Sequence, residues 1–445
     1  MNQEEEIQKL KKKIRELEEE NARLKKEKDK IKKNFDEFKA KHAVTVSNLQ
    51  EALKVKADKA KSSKPLGLPK GHKGYFRHVP ERWDEVQLKL NTCPDCHTKL
   101  SGRVQEERSR IVTDVELNLK AKNTKYIIPR KYCPTCKKLV EPDVPNVLPH
   151  ARFGLNLMLL VMYLKLGLRL PCEKIADFLS TAYDVKMSNG EVIVILKQLA
   201  GAFGNYYGHL ETLVKLARVK HSDTTGWRIS GRNYFAWVFI STGVVLYKIR
   251  KRNNHKVGLA FLRKQHGNVL VVDRHSAFRT LAKKAGFLLQ LCWAHILQDT
   301  KELAENFGSE GKYVHKKLKE IYALAKGLNH KGSAEQVQQL QGMVFELTQR
   351  HYKHITMRRF VNALFYRDVD NLFRFVTDPE IASTNNVSER ELRHLVIMRK
   401  VSNGSRSQRG AATTAILTSI IQTLRFKKEN VLQGLQQILK NPSGY

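Results

Sequence analysis

Between residues 217 and 292 the chain alternates between two hydrophobic periods that together admit few folds. The Tyr234–Ile240 and Val244–Ile249 runs are dense in aromatic and β-branched residues, with Gly231-Arg-Asn before the first and Ser241-Thr-Gly between them. Such residues suit a pleated surface, and the intervening ones supply turns. The pattern then predicts a helix near residues 255–265, a short apolar strand Asn268-Val-Leu-Val-Val ending at Asp273, another helix, and an apolar strand from Phe287 to Cys292. Strands interleaved with helices in this way make a mixed α/β core.

The flanking segments read differently. Ile7, Leu10, Ile14, Leu17, Leu24, Ile31, Phe35 and Phe38 fall at alternating three- and four-residue steps, with Asn21 and Lys28 at the remaining core positions. This heptad pattern predicts a coiled coil over residues 1–45, and an Asn at one core position favours a parallel dimer in fixed register. Residues 46–80 are a Lys-rich stretch with Ser, Pro and Gly, a flexible basic linker or a solubilising spacer. Residues 149–216 are helical in pattern. Within them, 172–180 and 189–200 can form a helix-turn-helix with Ser188 as N-cap, although a plain helical connector fits as well. Residues 293–375 are rich in Leu, Lys and Glu at helical spacing, a helical insertion in a core spanning 217–400, and 401–445 form a basic C-terminal helical segment.

Charge narrows the partner. The 445 residues carry a formal net charge of +36, which points to a polyanion, nucleic acid before acidic membrane. The longest apolar stretch, Phe153 to Leu170, is broken by Asn156, Lys165 and Arg169 and falls short of the ~20 residues a bilayer requires. The N-terminus, with Glu4, Glu5 and Glu6, has no secretory pattern, so a cytoplasmic location is expected. No phosphate-binding Gly-x-x-x-x-Gly-Lys-Ser/Thr loop occurs, so ATP hydrolysis is not indicated.

Four of the six cysteines lie in two knuckles, Cys93-Pro-Asp-Cys96 and Cys133-Pro-Thr-Cys136. In a reducing compartment such pairs read as ligands of a structural Zn2+, in a ribbon over residues 81–148. Cys172 and Cys292 have no partner at ligand spacing and read as buried thiols.

Against the basic background stand Asp223, in His221-Ser-Asp-Thr-Thr-Gly-Trp227, Asp273, in Asp273-Arg-His-Ser, and Glu389, in Thr384-Asn-Asn-Val-Ser-Glu-Arg-Glu-Leu-Arg393. Carboxylates gathered at one sheet edge repel one another unless a cation lies between them. Magnesium takes one or two carboxylates plus substrate phosphate oxygens, and two such ions ~3.5–4 Å apart can activate the attacking oxygen and stabilise the leaving one. By spacing alone, surface positions are the ordinary reading of these acids.

The stretches around these acids, together with Cys292-Trp-Ala-His295, Gly71-His-Lys-Gly74, the two cysteine knuckles, Arg399-Lys400, Gly404-Ser and Arg409-Gly-Ala, resemble the transposases of the insertion-sequence sixty-six family. The resemblance implies a multidomain α/β protein with a ribonuclease-H-like core, in which Asp223, Asp273 and Glu389 hold Mg2+ or Mn2+ and the helical insertion separates the second Asp from the Glu. It implies a bacterial, nucleoid-associated enzyme that binds element ends and target DNA, cuts and joins strands, and works as a homodimer or higher oligomer, with accessory proteins of the same element as further partners. Thr224 stands where the family commonly has Glu, and Arg274-His275 where it often has Gly-Tyr; neither removes a triad carboxylate. His295 and Trp293 are candidates for the active site or DNA, with a core role an equal reading for His295. Arg390, Arg393, Arg399 and Lys400 are candidates for phosphate contact or for a solvated helix face. A non-enzymatic zinc-ribbon regulator and a ribonuclease-H-like nuclease without joining activity are the rival readings.

Overall fold

The computed structural model describes residues 15–23, 121–128, 130–135, 137–140, 142 and 144–441. The chain divides into two units, residues 1–114 and 115–445. In the first, residues 15–23 form a helix (α1) with Leu17 and Asn21 exposed. The other expected seam residues (Ile7, Leu10, Ile14, Leu24 and Ile31) lie outside the described residues, as do Cys93, Cys96 and Cys136. In the second unit Lys131–Cys133 (β1) and Lys138–Val140 (β2) pair antiparallel, so the main chain of Cys133 lies in a hairpin.

The second unit is built on a five-stranded sheet of order β5-β4-β3-β6-β7. Val219–Ile229 (β3), Arg232–Ser241 (β4) and Val244–Arg250 (β5) form an antiparallel meander. The first turn is Ser230-Gly231, with φ of +46° and +75°. Positive φ at both central residues gives the turn the twist of its flanking strands. Val269–Val272 (β6) lies parallel to β3, and Leu288–Leu291 (β7) parallel to β6. Parallel pairing needs crossovers, supplied by the helices His255–Leu262 (α6) and Ser276–Ala285 (α7).

Helices cover the sheet. Leu155–Met162 (α2), Cys172–Tyr183 (α3), Asn189–Ala202 (α4) and Gly204–Leu216 (α5) precede it. Ser188 caps α4 in a reciprocal capping box with Glu191. After β7 come Trp293–Asn306 (α8), Gly308–Gly327 (α9), Ala334–Gln349 (α10) and Ile355–Tyr366 (α11), then Asn386–Ser402 (α12), Gln408–Phe426 (α13) and Val431–Lys440 (α14).

Within the segment after residue 400, α13 packs along the outer edge of β5. The Ser419 hydroxyl of α13 accepts from Tyr247 N at 2.8 Å, and Thr423 Oγ1 accepts from Val245 N and donates to Val245 O, each at 3.1 Å. Residues two apart on a strand are thus met by residues four apart on a helix, leaving the edge unavailable to another strand.

Candidate functional site

Four chain segments meet at one edge of this sheet. The last registered pair between β3 and β6 is His221 with Val271. Two residues further along come Asp223, still in β3, and Asp273, the first residue beyond β6, so that continuing the register sets them level with one another. Asp223 lies within its strand, because β3 runs on to Ile229 paired with β4. It stands where the parallel neighbour stops.

Thr224 N donates to Asp223 Oδ1 at 2.6 Å, and His275 N donates to Asp273 Oδ1 at 3.0 Å. His275 Nδ1 in turn accepts from Ala277 N and caps α7. Residues 274–275, where the chain departs from the family's Gly-Tyr, thus still hold Asp273 in a tight turn.

The third segment is the start of α8. Cys292 precedes it, and His295 lies in its first turn, with Nε2 3.5 Å from Glu389 Oε1. The fourth is the start of α12, with the exposed Glu389 in its first turn. Donor atoms of Cys292, His295 and Glu389 lie within 4.8 Å of one another, a set able to hold a metal ion. Cys292 Sγ already accepts from Asn385 N at 3.1 Å.

The electrostatics mark a crowded anionic pocket. Burial, then the charges of Asp273 and Glu389, push Asp223 up to about 6 against the pull of Thr224 N–H and His295. The Cys292 side chain, then the carboxylates of Glu389 and Asp273, push His295 up to about 9 against the effect of burial, which favours a protonated ring at neutral pH. Among the described residues His295 Nδ1 is buried and makes no hydrogen bond.

Asn385 had no assigned role in the sequence beyond its place in the Asn-Asn pair. It is fully buried and joins three of the four segments. Its Nδ2 donates to Ser222 O at 2.9 Å, its Oδ1 accepts from Ser388 Oγ at 2.8 Å and lies 3.1 Å from His221 Nδ1, and its main-chain N donates to Cys292 Sγ. An amide before a glutamate in a basic block was the available signal.

The other candidates separate. Arg390, Arg393 and Lys400 are exposed. Arg399 is partly buried and donates from Nη1 to Gly226 O. Trp293 is not a DNA-facing residue: it is fully buried, stacks on Tyr322 with ring centroids 5.0 Å apart, and donates from Nε1 to Leu372 O at 2.7 Å. Trp227 and Trp237 are buried as well.

Residues 150–413 match the family described as Transposase IS66 family, and the chain belongs to that family. No curated protein matches the chain. Among solved structures, a chain of the simian T-cell lymphotropic virus intasome in complex with PP2A regulatory subunit B56 gamma matches at 10% identity and a TM-score of 0.15, over 34% of this chain and half the length of that one. Among the described residues no helix is long and apolar enough to cross a membrane.

Proposed function

We propose that the chain is a DNA strand-cutting and strand-joining transposase whose active centre is the Asp223, Asp273 and Glu389 carboxylates. The observation that carries this reading is the register that sets Asp223 level with Asp273, joined to the Asn385 bonds that bring the start of α12 beside β3. The strand order and mixed pairing support a ribonuclease-H-like core, with α8 to α11 as its insertion.

Carboxylate oxygens are the donors a hard divalent cation prefers, and among the described residues the three-ligand group already at metal spacing is Cys292, His295 and Glu389. Three carboxylates offer oxygen ligands, and burial, then repulsion from Asp273 and Glu389, already lifts Asp223. Bound there, Mg2+ or Mn2+ would activate the attacking oxygen and stabilise the leaving one. The chain's own part is placement. Thr224 N–H and the residue 273–275 turn fix the two aspartates, and α12 presents Glu389 from its first turn. Protonated His295 beside Glu389 lies where a phosphate's negative charge would be neutralised.

In this reading Cys93, Cys96, Cys133 and Cys136 hold a structural Zn2+, the N-terminal heptads pair two protomers, and the basic surface receives element ends and target DNA. The family match supports the transposase over the regulator and the nuclease. The test is DNA cleavage with Mg2+ on the element's own ends. Asp223→Asn should abolish cleavage and keep end-binding. Joining of pre-cut ends by the wild type separates a transposase from a nuclease.

A further inference from the structure

At the far end of β3 the structure holds a second basic feature, an open groove lined by Arg228, Gly231, Arg399, Lys400 and Asn403. No acid lines it among the described residues. The groove is built by a segment stapled to the strand. Ser405 N donates to Arg228 O and Ser230 N to Ser405 O, each at 2.9 Å, while Ser230 Oγ donates to Arg406 O at 2.6 Å and Trp227 Nε1 to Ser405 Oγ at 3.2 Å. Gly404 makes the close approach feasible: its φ is +98°, and a Cβ there would lie 2.3 Å from Arg228 O. On the other wall Arg399 reaches Gly226 O, where a Cβ on Gly226 would lie 2.9 Å from the guanidinium. Arg228 is aimed by its own Nη1 bond to Gly231 O at 2.8 Å.

Two independent rulers give the distance from this groove to the carboxylates. The α12 segment runs alongside β3 in the same sense, with Asn385 at Ser222, Arg399 at Gly226 and Ser405 at Ile229. Along β3 the main chain from Asp223 to Arg228 spans ~17 Å at a strand's rise per residue, with Arg228 on the alternate face at the strand's end. Along α12, Glu389 to Lys400 spans ~16 Å at a helix's rise. At ~3.4 Å per nucleotide along one strand of B-DNA, both correspond to about five nucleotides.

We propose that this groove grips the DNA backbone about five nucleotides from the phosphate at the carboxylate centre, with Arg228 and Lys400 as its contacts. The proposal rests on the catalytic reading for its register, and on the groove's own geometry for its contact with DNA.

The test compares full-length wild type with Arg228→Ala/Lys400→Ala on duplex DNA carrying the element's ends. Both residues are exposed, so the variant should fold, which circular dichroism and its melting curve check. The slope of log affinity against log salt should fall by about two in the variant. Single neutral methylphosphonates should weaken wild-type binding severalfold at one position and leave the variant indifferent there. Fe2+ with peroxide marks the nucleotide beside the carboxylates, and the sensitive phosphate should lie four to six nucleotides from that mark, given a rise of ~3.4 Å per nucleotide. An unchanged slope, or a sensitive phosphate elsewhere, overturns the proposal. A fallen slope with no iron-directed cut overturns the catalytic reading and the register, and leaves the groove as a DNA contact alone.

Discussion

Asn385 Nδ2 donates a 2.9 Å hydrogen bond to the main-chain carbonyl of Ser222, the residue before Asp223. This bond ties the helix that carries Glu389 to the strand that carries the first aspartate. Its strength comes from burial, because a polar group shut away from water loses far more when its partner is removed than an exposed one does.

Asn385→Ala should therefore act on stability and site geometry together. Ser222 O and Ser388 Oγ lose their partner, at a cost on the order of 3 kcal/mol. Chemical denaturation measures that loss, and DNA cleavage should fall at least tenfold at temperatures where the variant is still folded. Ser388→Ala, which keeps the bond to Ser222, should retain most of both. Equal effects of the two substitutions would remove Asn385 from its positioning role.

Asp223 yields a pH prediction for the metal-free protein. Its value is pushed from 3.8 up to about 6, chiefly by burial. The unfolded chain therefore releases this proton first as pH rises, and the folded state loses stability between about 4 and about 6, then stays at the lower level. In a chelator, Asp223→Asn should unfold later than wild type at pH 7.5, by about 2 kcal/mol after allowance for partial exposure. The advantage should vanish near pH 4. A variant less stable than wild type at pH 7.5 would mean that the carboxylate is not strained without metal.

Asp368 anchors the helical insertion to the turn after β6. It is fully buried, receives Arg279 Nε and Nη2 at 3.0 Å each and Arg367 Nη2 at 3.0 Å, and lies 3.4 Å from Arg274 Nε. Asp368→Asn leaves partly buried guanidinium groups uncompensated and should cost roughly 3–5 kcal/mol. Lys317→Gln breaks only the exposed pair with Glu320 and should change stability by less than about 1 kcal/mol. Urea titration of both variants checks the contrast.

His295→Ala should fold, since the ring is only partly buried and its ion pair with Glu389, at 3.5 Å, is partly exposed. It should cut strand cleavage by about a factor of ten to a hundred, the effect of losing one positive group near a reacting phosphate. A folded variant that cleaves and joins like wild type would return His295 to a packing role.

What the sequence revealed and what it concealed follow from the range of the interactions. The β4–β5 hairpin and β6 were legible because β-branched and aromatic runs at Tyr234–Ile240, Val244–Ile249 and Val269–Val272 sit between turn residues. The mid-strand position of Asp223 was not, because it depends on how far β6 extends beside β3. The part played by α13 was hidden for a similar reason: Ser419 and Thr423 look unremarkable in a helix, and their use lies in the N–H groups of a strand more than 170 residues away. Trp293 looked available for bases until the packing of Tyr322 and Phe373 against it was seen.

The most direct test of the central claim is Mg2+-dependent strand transfer by wild type and Glu389→Gln, side by side on DNA carrying the element's own ends. Glu389 is exposed and its side chain's contact is the partly exposed pair with His295, so loss of activity in a folded variant reports on the site. The carboxylate account expects joining by the wild type and none by Glu389→Gln, with equal end-binding. Equal joining by both proteins would contradict it.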